Sequence, residues 1–299
     1  VRPTPVTPMP NLYRQPSTRH MLKPRTTVGE AQTARRVRVE PLMGTVFSID
    51  LRDGQVPESA VDEAFRWLHQ VDRRFSPFRT DSEITQLGRG EITLAECHPD
   101  VATVLELCET LRLLSGGAFN AWQFRPDGRL DPSGMVKGWA VDEAARILEL
   151  SGARNFCINA GGDVLARGRP VARKGWRVGI RNPFDRSTLA AVVEVTDMAV
   201  ATSGGYERGD HIIDARSRTT NKDLSSLTVS GPSLTWADAY ATTGVAMGLA
   251  GIPWVAAQPG YGSFGITSDS RVRYDEVFAG LLVQDGVDFR GAHLSYGWR

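Results

Sequence analysis

Short β-like runs follow one another between residues 155 and 230, at 155–159, 175–180, 189–195, 198–202, 211–214 and 226–230, with no helical pattern among them. Further strand-like runs lie at 263–267 and 271–274, and residues 37–51 alternate like a strand interrupted by Gly44. The helical patterns are segregated. Residues 57–75 place Ala60, Val61, Ala64, Phe65, Leu68 and Val71 on one face. Residues 81–87 and 99–115 form two more, the second ended by Gly116 and Gly117. Another runs from Val141 through Ala144, Ala145 and Leu148, and a last, very apolar one spans 233–250 with a serine start. Helices set apart from antiparallel-looking strands predict an α+β fold.

With 299 residues, 41% of them hydrophobic, the chain can bury a sizeable core. Residues 1–36 carry seven Lys/Arg, one Glu and six prolines in their first 30 positions, which predicts a disordered or extended tail ahead of one domain over 37–299. The remainder holds 28 Lys/Arg against 33 Asp/Glu, so its surface does not suit nucleic acid. No apolar run of signal-peptide length and none of about 18 residues occurs, so no membrane insertion is expected. Cys97, Cys108 and Cys157 have no C-x-x-C spacing and read as reduced thiols of a cytoplasmic protein.

"GYGSFG" (260–265) matches a dinucleotide fingerprint but leads into a strand rather than a helix, so it reads as a turn. "WADAYATTG" (236–244) sets Asp238 and Thr242 four apart, on one face of an apolar helix. Such groups need partners there. They are either a hydrogen-bonded pair or oxygen ligands for a hard cation such as Mg²⁺. "INAGGDVLARG" (158–168) reads as strand, Gly161-Gly162 turn, strand. His211, between Asp210 and Asp214, sits where a carboxylate would orient its ring. In "DPSGMVKGWAVDEAARIL" (131–148), Asp131 to Gly134 look like a loop feeding a helix, which leaves Lys137 in the first turn. There the helix dipole opposes a cation by about 0.3–1 kcal/mol. Gly138, next to it, lets backbone come close to something.

Seven pieces in order resemble the ApbE family, the FAD:protein FMN transferases: "MGTVFSI", "RRFSPFRTDSEITQL", "GGAFN", "DPSGMVKGWAVD", "INAGGD", "ATSGGYERGDHIID" and "ADAYATTGVAMG", spread over about residues 38–280. The resemblance implies a single α+β domain of mixed or antiparallel sheets with surrounding helices and an FAD cleft. It implies FAD as substrate and a divalent cation, usually Mg²⁺, held by Asp238, Thr242 and the Gly134 carbonyl. It implies FAD contacts at Met43, Phe78, Ala118, Phe119, Asn120, Asp131, Lys137 and Ile213, with His211 as the base. Lys137 would then meet the FAD pyrophosphate at a helix start. The implied reaction moves FMN onto a threonine or serine hydroxyl of an acceptor flavoprotein and releases AMP. Two departures stand out. Asn120 replaces the family's usual Asp, and Asp214, Ala215, Arg216, Ser217 and Arg218 replace "D-P-x-T-G", losing the Pro and the Gly. They keep open a hydrolase that uses water as acceptor, and a carrier that only binds FAD. Asp238 or Asp163 are alternative bases.

Overall fold

The computed structural model describes residues 35–122, 130–170, 173–205 and 212–283. Its frame is an eight-stranded, wholly antiparallel sheet in the order β1-β2-β3-β4-β7-β8-β9-β10, as the segregated pattern predicts. β1 (Arg36–Leu42) and β2 (Thr45–Leu51) form a hairpin whose two turn residues, Met43 and Gly44, both have positive φ, 50° and 72°. That is the turn geometry that suits the right-handed twist of flanking strands. β3 (Phe156–Ala160) and β4 (Asp163–Arg167) join through Gly161 and Gly162, also at positive φ. β5 (Trp176–Arg181) and β6 (Leu189–Val195) form a separate two-stranded hairpin. The chain then returns through β7 (Ala199–Gly204) and β8 (Leu224–Gly231), and ends the sheet with β9 (Gly262–Thr267) and β10 (Val272–Tyr274).

The helices are α1 (Glu58–Phe75), α2 (Glu83–Gly88), α3 (Pro99–Leu114), α4 (Ser133–Leu150), α5 (Leu234–Met247), α6 (Gly251–Ala256) and α7 (Glu276–Ala279). All six apolar residues read on the face of α1 are buried. They join Phe47, Ile49, Leu51, Leu165, Leu227 and the apolar sides of α4 and α5 in one core. Successive strand residues point to opposite faces. Val164, Val200, Phe264 and Ile266 therefore build a second core on the other face, with Trp176, Val178, Ile180 and Val193 of the β5–β6 hairpin. β9, covered on both sides, is buried at all six positions, whereas β1 alternates with Val37 and Val39 exposed. Trp67 on α1 donates its indole N–H to the Ala140 carbonyl of α4 at 3.0 Å, which fixes those two helices together.

Several boundaries differ from the sequence expectation. The run at 211–214 contributes only an isolated bridge between Asp214 and Thr219 among the described residues. α4 begins at Ser133, inside the stretch 131–134 that reads as a loop. The Pro132 carbonyl accepts the Met135 and Val136 N–H groups at 2.8 and 3.1 Å, so the apparent loop is already helical. "GYGSFG" does lead into β9, with Gly260 at φ 81° in the turn before it. Burial pushes the Cys108 and Cys157 thiols up to about 12, which disfavours the reactive thiolate at both. Among the described residues no helix is long and apolar enough to cross a membrane.

Candidate functional site

α4 and α5 run antiparallel and cross closely. A Cβ at Gly138 would collide with the Leu234 carbonyl and stand 2.9 Å from Thr235 Cα. What Gly138 lets approach is therefore α5 itself. At one end of the crossing Asp142 meets the start of α5. At the other, a Cβ on Gly134 would lie 3.6 Å from Thr242 Cγ2 and 3.1 Å from the Phe119 ring. Between them Lys137 faces Asp238, with Nζ 3.4 Å from Oδ1.

Lys137 is also ion-paired to Asp163, the first residue of β4. The other Asp163 oxygen accepts the Thr202 N–H of β7 at 2.8 Å, which anchors the carboxylate to the sheet. The cluster is one lysine and two aspartates, with Asp163 and Asp238 almost fully buried. With both carboxylates ionised it carries one negative charge in excess. Burial pushes the Asp238 carboxyl well above the usual carboxylate range; Lys137 opposes that shift and the like charge of Asp163 adds to it. Burial also works against the Lys137 charge, but the two carboxylates outweigh it and hold its pKa above the ordinary value.

Asp238 Oδ2 is buried and has no hydrogen-bond partner. Nor do Asp238 and Thr242 pair with each other: the Thr242 hydroxyl lies 3.0 Å from Ser203 Oγ on β7, and Asp238 turns to Lys137. The bland reading, a hydrogen-bonded Asp–Thr pair, is not what the chain builds. A partnerless carboxylate oxygen in a cluster with excess negative charge, beside a hydroxyl, fits a hard cation that keeps most of its waters or binds phosphate oxygens. Gly134 lies in the first turn of α4 rather than in a loop, adjacent to Thr242. Lys137 falls in the second turn, so carboxylates and not the helix start answer its charge.

The remaining candidates gather in part. Asp131 is buried and accepts the Ser133 N–H at 3.0 Å and its hydroxyl, so it organises the start of α4. Ala118 and Phe119 are buried, and Phe119 packs on Gly134. The Ala118 carbonyl accepts the Ala215 N–H at 3.0 Å, which joins the 117–120 stretch to the segment carrying Ile213. Asn120 Oδ1 accepts the Trp122 N–H at 3.0 Å. That turn needs only a side-chain oxygen two residues back, so Asn serves as well as the family's Asp. Met43 sits at the β1–β2 turn in a left-handed conformation that non-glycine residues seldom adopt. The adjacent β3–β4 turn is tied to it by the Gly161 N–H, donated to the Val46 carbonyl. Phe78, in the α1–α2 connection, is 81% exposed. His211 and Asp210 lie outside the described residues.

Sequence reading left three contributors unassigned: Asp163 as partner of Lys137, Ser203 as partner of Thr242, and Asp142. Asp163 had a local signal, a carboxylate straight after a Gly-Gly turn at a strand start.

A family model described as the ApbE family matches residues 43–123 and 121–263. A Vibrio cholerae protein named FAD:protein FMN transferase is 26% identical over 271 residues, which is 70% of this chain and 80% of that protein. Among solved structures, the flavin transferase ApbE from Vibrio cholerae superposes with a TM-score of 0.72 at 24% identity, over 83% of this chain and all of that one. The ApbE protein of Thermotoga maritima gives 0.75 at 19% identity, over 84% of this chain and all of its own. Those likenesses establish the α+β fold, and the family match spans well over half of the sequence: the chain belongs to the ApbE family.

Proposed function

We propose that the chain is a transferase that moves the FMN half of FAD onto a threonine or serine hydroxyl of an acceptor flavoprotein and releases AMP. The observation that carries this is the Lys137–Asp163–Asp238 cluster, two buried carboxylates on one half-buried lysine, with Asp238 Oδ2 partnerless beside Thr242. The activity named for the Vibrio cholerae relative supports it. Asp238, Thr242 and the Gly134 carbonyl are the proposed Mg²⁺ ligands. Bound there, the ion would neutralise charge developing on the pyrophosphate. Lys137, tethered by Asp163, presents a fixed positive charge to the same group. Met43, Phe78, Ala118, Phe119, Asn120, Asp131 and Ile213 are the proposed FAD contacts. In the step itself the acceptor oxygen bonds to the FMN-side phosphorus. The bond from that phosphorus to the bridging oxygen breaks, and AMP leaves with its electron pair. His211 takes the hydroxyl proton.

The test is incubation with FAD and MgCl₂, with and without a candidate acceptor, read by mass spectrometry. Transfer gives an FMN adduct on the acceptor plus AMP. Free FMN and AMP without acceptor would mark a hydrolase, and intact FAD in both arms a carrier. Asp238→Ala should slow transfer by about 10²–10³-fold, the scale of one lost electrostatic element at a reacting centre. It should leave thermal stability unchanged or higher, because a buried carboxylate without a full set of partners is removed. A variant that loses stability yet keeps Mg²⁺-dependent turnover would refute the metal role.

A further inference from the structure

Asp142 lies on α4 five residues beyond Lys137, less than one and a half turns along, and takes no part in the cluster described above. Its carboxylate reaches across to the first residues of α5. It accepts the Ser233 hydroxyl at 2.7 Å, the Leu234 N–H at 3.1 Å, the Thr235 N–H at 2.8 Å and the Thr235 hydroxyl at 2.6 Å. The first N–H groups of a helix have no partner within it and are normally capped by the residue just before. Here Ser233 occupies the cap position and makes no capping bond; it donates to Asp142 instead. The cap of α5 is thus supplied by another helix, 91 to 93 residues away in sequence.

A cap supplied from outside does more than satisfy donors. The two antiparallel helices meet in rungs: Asp142 on Ser233 to Thr235, Gly138 on Leu234, Lys137 on Asp238, and Gly134 beside Thr242. In the middle of the crossing Gly138 packs closely on the Leu234 carbonyl, a contact of shape, and Lys137 pairs with Asp238 through one ion pair. Asp142 has four directed bonds at the end. A slip of one residue moves a helix by about 1.5 Å and a slip of one turn by about 5.4 Å. Either would separate Lys137 from Asp238 and Gly134 from Thr242. We propose that Asp142 is a positioning residue: by capping α5 from α4 it sets the register of the two helices, and with it the alignment of Asp238 and Thr242 against Gly134. This rests on the reading of those groups as the metal site.

The test measures Mn²⁺ binding in place of Mg²⁺ by electron paramagnetic resonance, on the full chain with FAD present. Asp142→Ala should weaken Mn²⁺ about 10-fold, and Asp142→Asn, which keeps one acceptor oxygen, about threefold. The control is Asp275→Ala. Asp275 caps α7 by accepting the Phe278 N–H at 2.9 Å and also holds Ser263 of β9, and it makes no hydrogen bond to α4 or α5 among the described residues. It should lose thermal stability yet bind Mn²⁺ as the parent does. If Asp142→Ala keeps the parent affinity, or if both variants lose affinity alike, Asp142 is an ordinary stability cap and the proposal fails. Should Asp142→Ala not fold, Asp142→Asn is judged by the same criterion. Parent protein that binds no Mn²⁺ with FAD overturns the reading of the metal site and this inference with it. Parent that binds, with an Asp142→Ala that binds equally well, overturns the inference alone.

Discussion

Where α4 crosses α5, every position that matters is set by a partner far away in sequence: Asp142 by Ser233 to Thr235, Gly138 by Leu234, Lys137 by Asp163 and Asp238. Where the 117–120 stretch meets residues 212–219, most bonds are between neighbours. Asp214 accepts the Arg216 N–H at 2.9 Å and its guanidinium at 2.6 Å. The Arg218 N–H is donated to the Asp214 carbonyl at 2.7 Å, the Asp214 N–H to the Thr219 carbonyl at 3.0 Å, and the Ser217 and Thr219 hydroxyls meet at 2.8 Å. A long-range backbone hydrogen bond, Ala215 N–H to the Ala118 carbonyl, ties this turn to the rest. The crossing depends on two surfaces matching, so one added methyl can spoil it. The turn depends on one backbone path, so its side chains can change as long as that path stays reachable. The departures from the family pattern fall on the turn, and the cluster at the crossing keeps its charged residues.

Gly138→Ala attacks the crossing most directly. The new methyl would meet the Leu234 carbonyl carbon at 2.8 Å and Thr235 Cα at 2.9 Å, both backbone, with no flexible side chain to give way. The helices must part. Overpacking of this kind costs about 2–3 kcal/mol, and chemical denaturation should show it. The gain in helix propensity from Gly to Ala, about 1 kcal/mol, works the other way and is not enough to cancel it. A variant as stable as the parent would mean that the crossing is looser than its rungs indicate.

Asp214→Asn tests the turn. Burial alone would raise the Asp214 carboxyl, but the hydrogen bonds and charge of Arg216 hold it below the usual carboxylate range. A carboxylate with a lowered folded pKa stabilises above its unfolded pKa, about 3.9, and that contribution is lost as pH falls through the lower folded value. Near pH 7 the variant should therefore be less stable by about 1 kcal/mol. The effect is small because Arg216 is about half exposed and solvent screens the pair. The gap should close as pH falls below about 4. A gap that stays constant down to pH 2 would assign the effect to shape rather than charge.

The same contrast explains what could be read from the sequence. α1 and the alternation of β1 and β2 follow from residues a few positions apart, each with one covered face, and both appear as expected. The start of α4 does not: Ser133 and Gly134 carry loop chemistry yet are helical, with the Pro132 carbonyl accepting the Met135 and Val136 N–H groups. Asp238 and Thr242 announced themselves as polar groups on an apolar helix. Their partners, Lys137 and Ser203, came from α4 and β7, a pairing that only the tertiary fold makes. Gly138 was legible as a close approach, but nothing local distinguished a neighbouring helix from a ligand.

Arg218 gives the finest test, and its expected effect is the smallest. It occupies the place of the glycine in the family's "D-P-x-T-G", and its φ is +58°. The path that the glycine would follow is thus retained, with a side chain on it. A left-handed conformation costs an L-residue about 1–2 kcal/mol that glycine avoids. Replacement by glycine also loosens the unfolded chain, which returns about 0.4–1 kcal/mol. Arg218→Gly should therefore stabilise the protein by about 0.5 kcal/mol. The difference is best resolved as a shift in denaturant midpoint at unchanged slope. FAD affinity should stay within about twofold of the parent, because a shift of 0.4 kcal/mol or less corresponds to that factor. If Arg218→Gly instead destabilises, the arginine makes a compensating contact that outweighs its backbone strain. The turn would then be tied to its surroundings in the way the crossing is, and the contrast between the two regions would fail at its most exposed point.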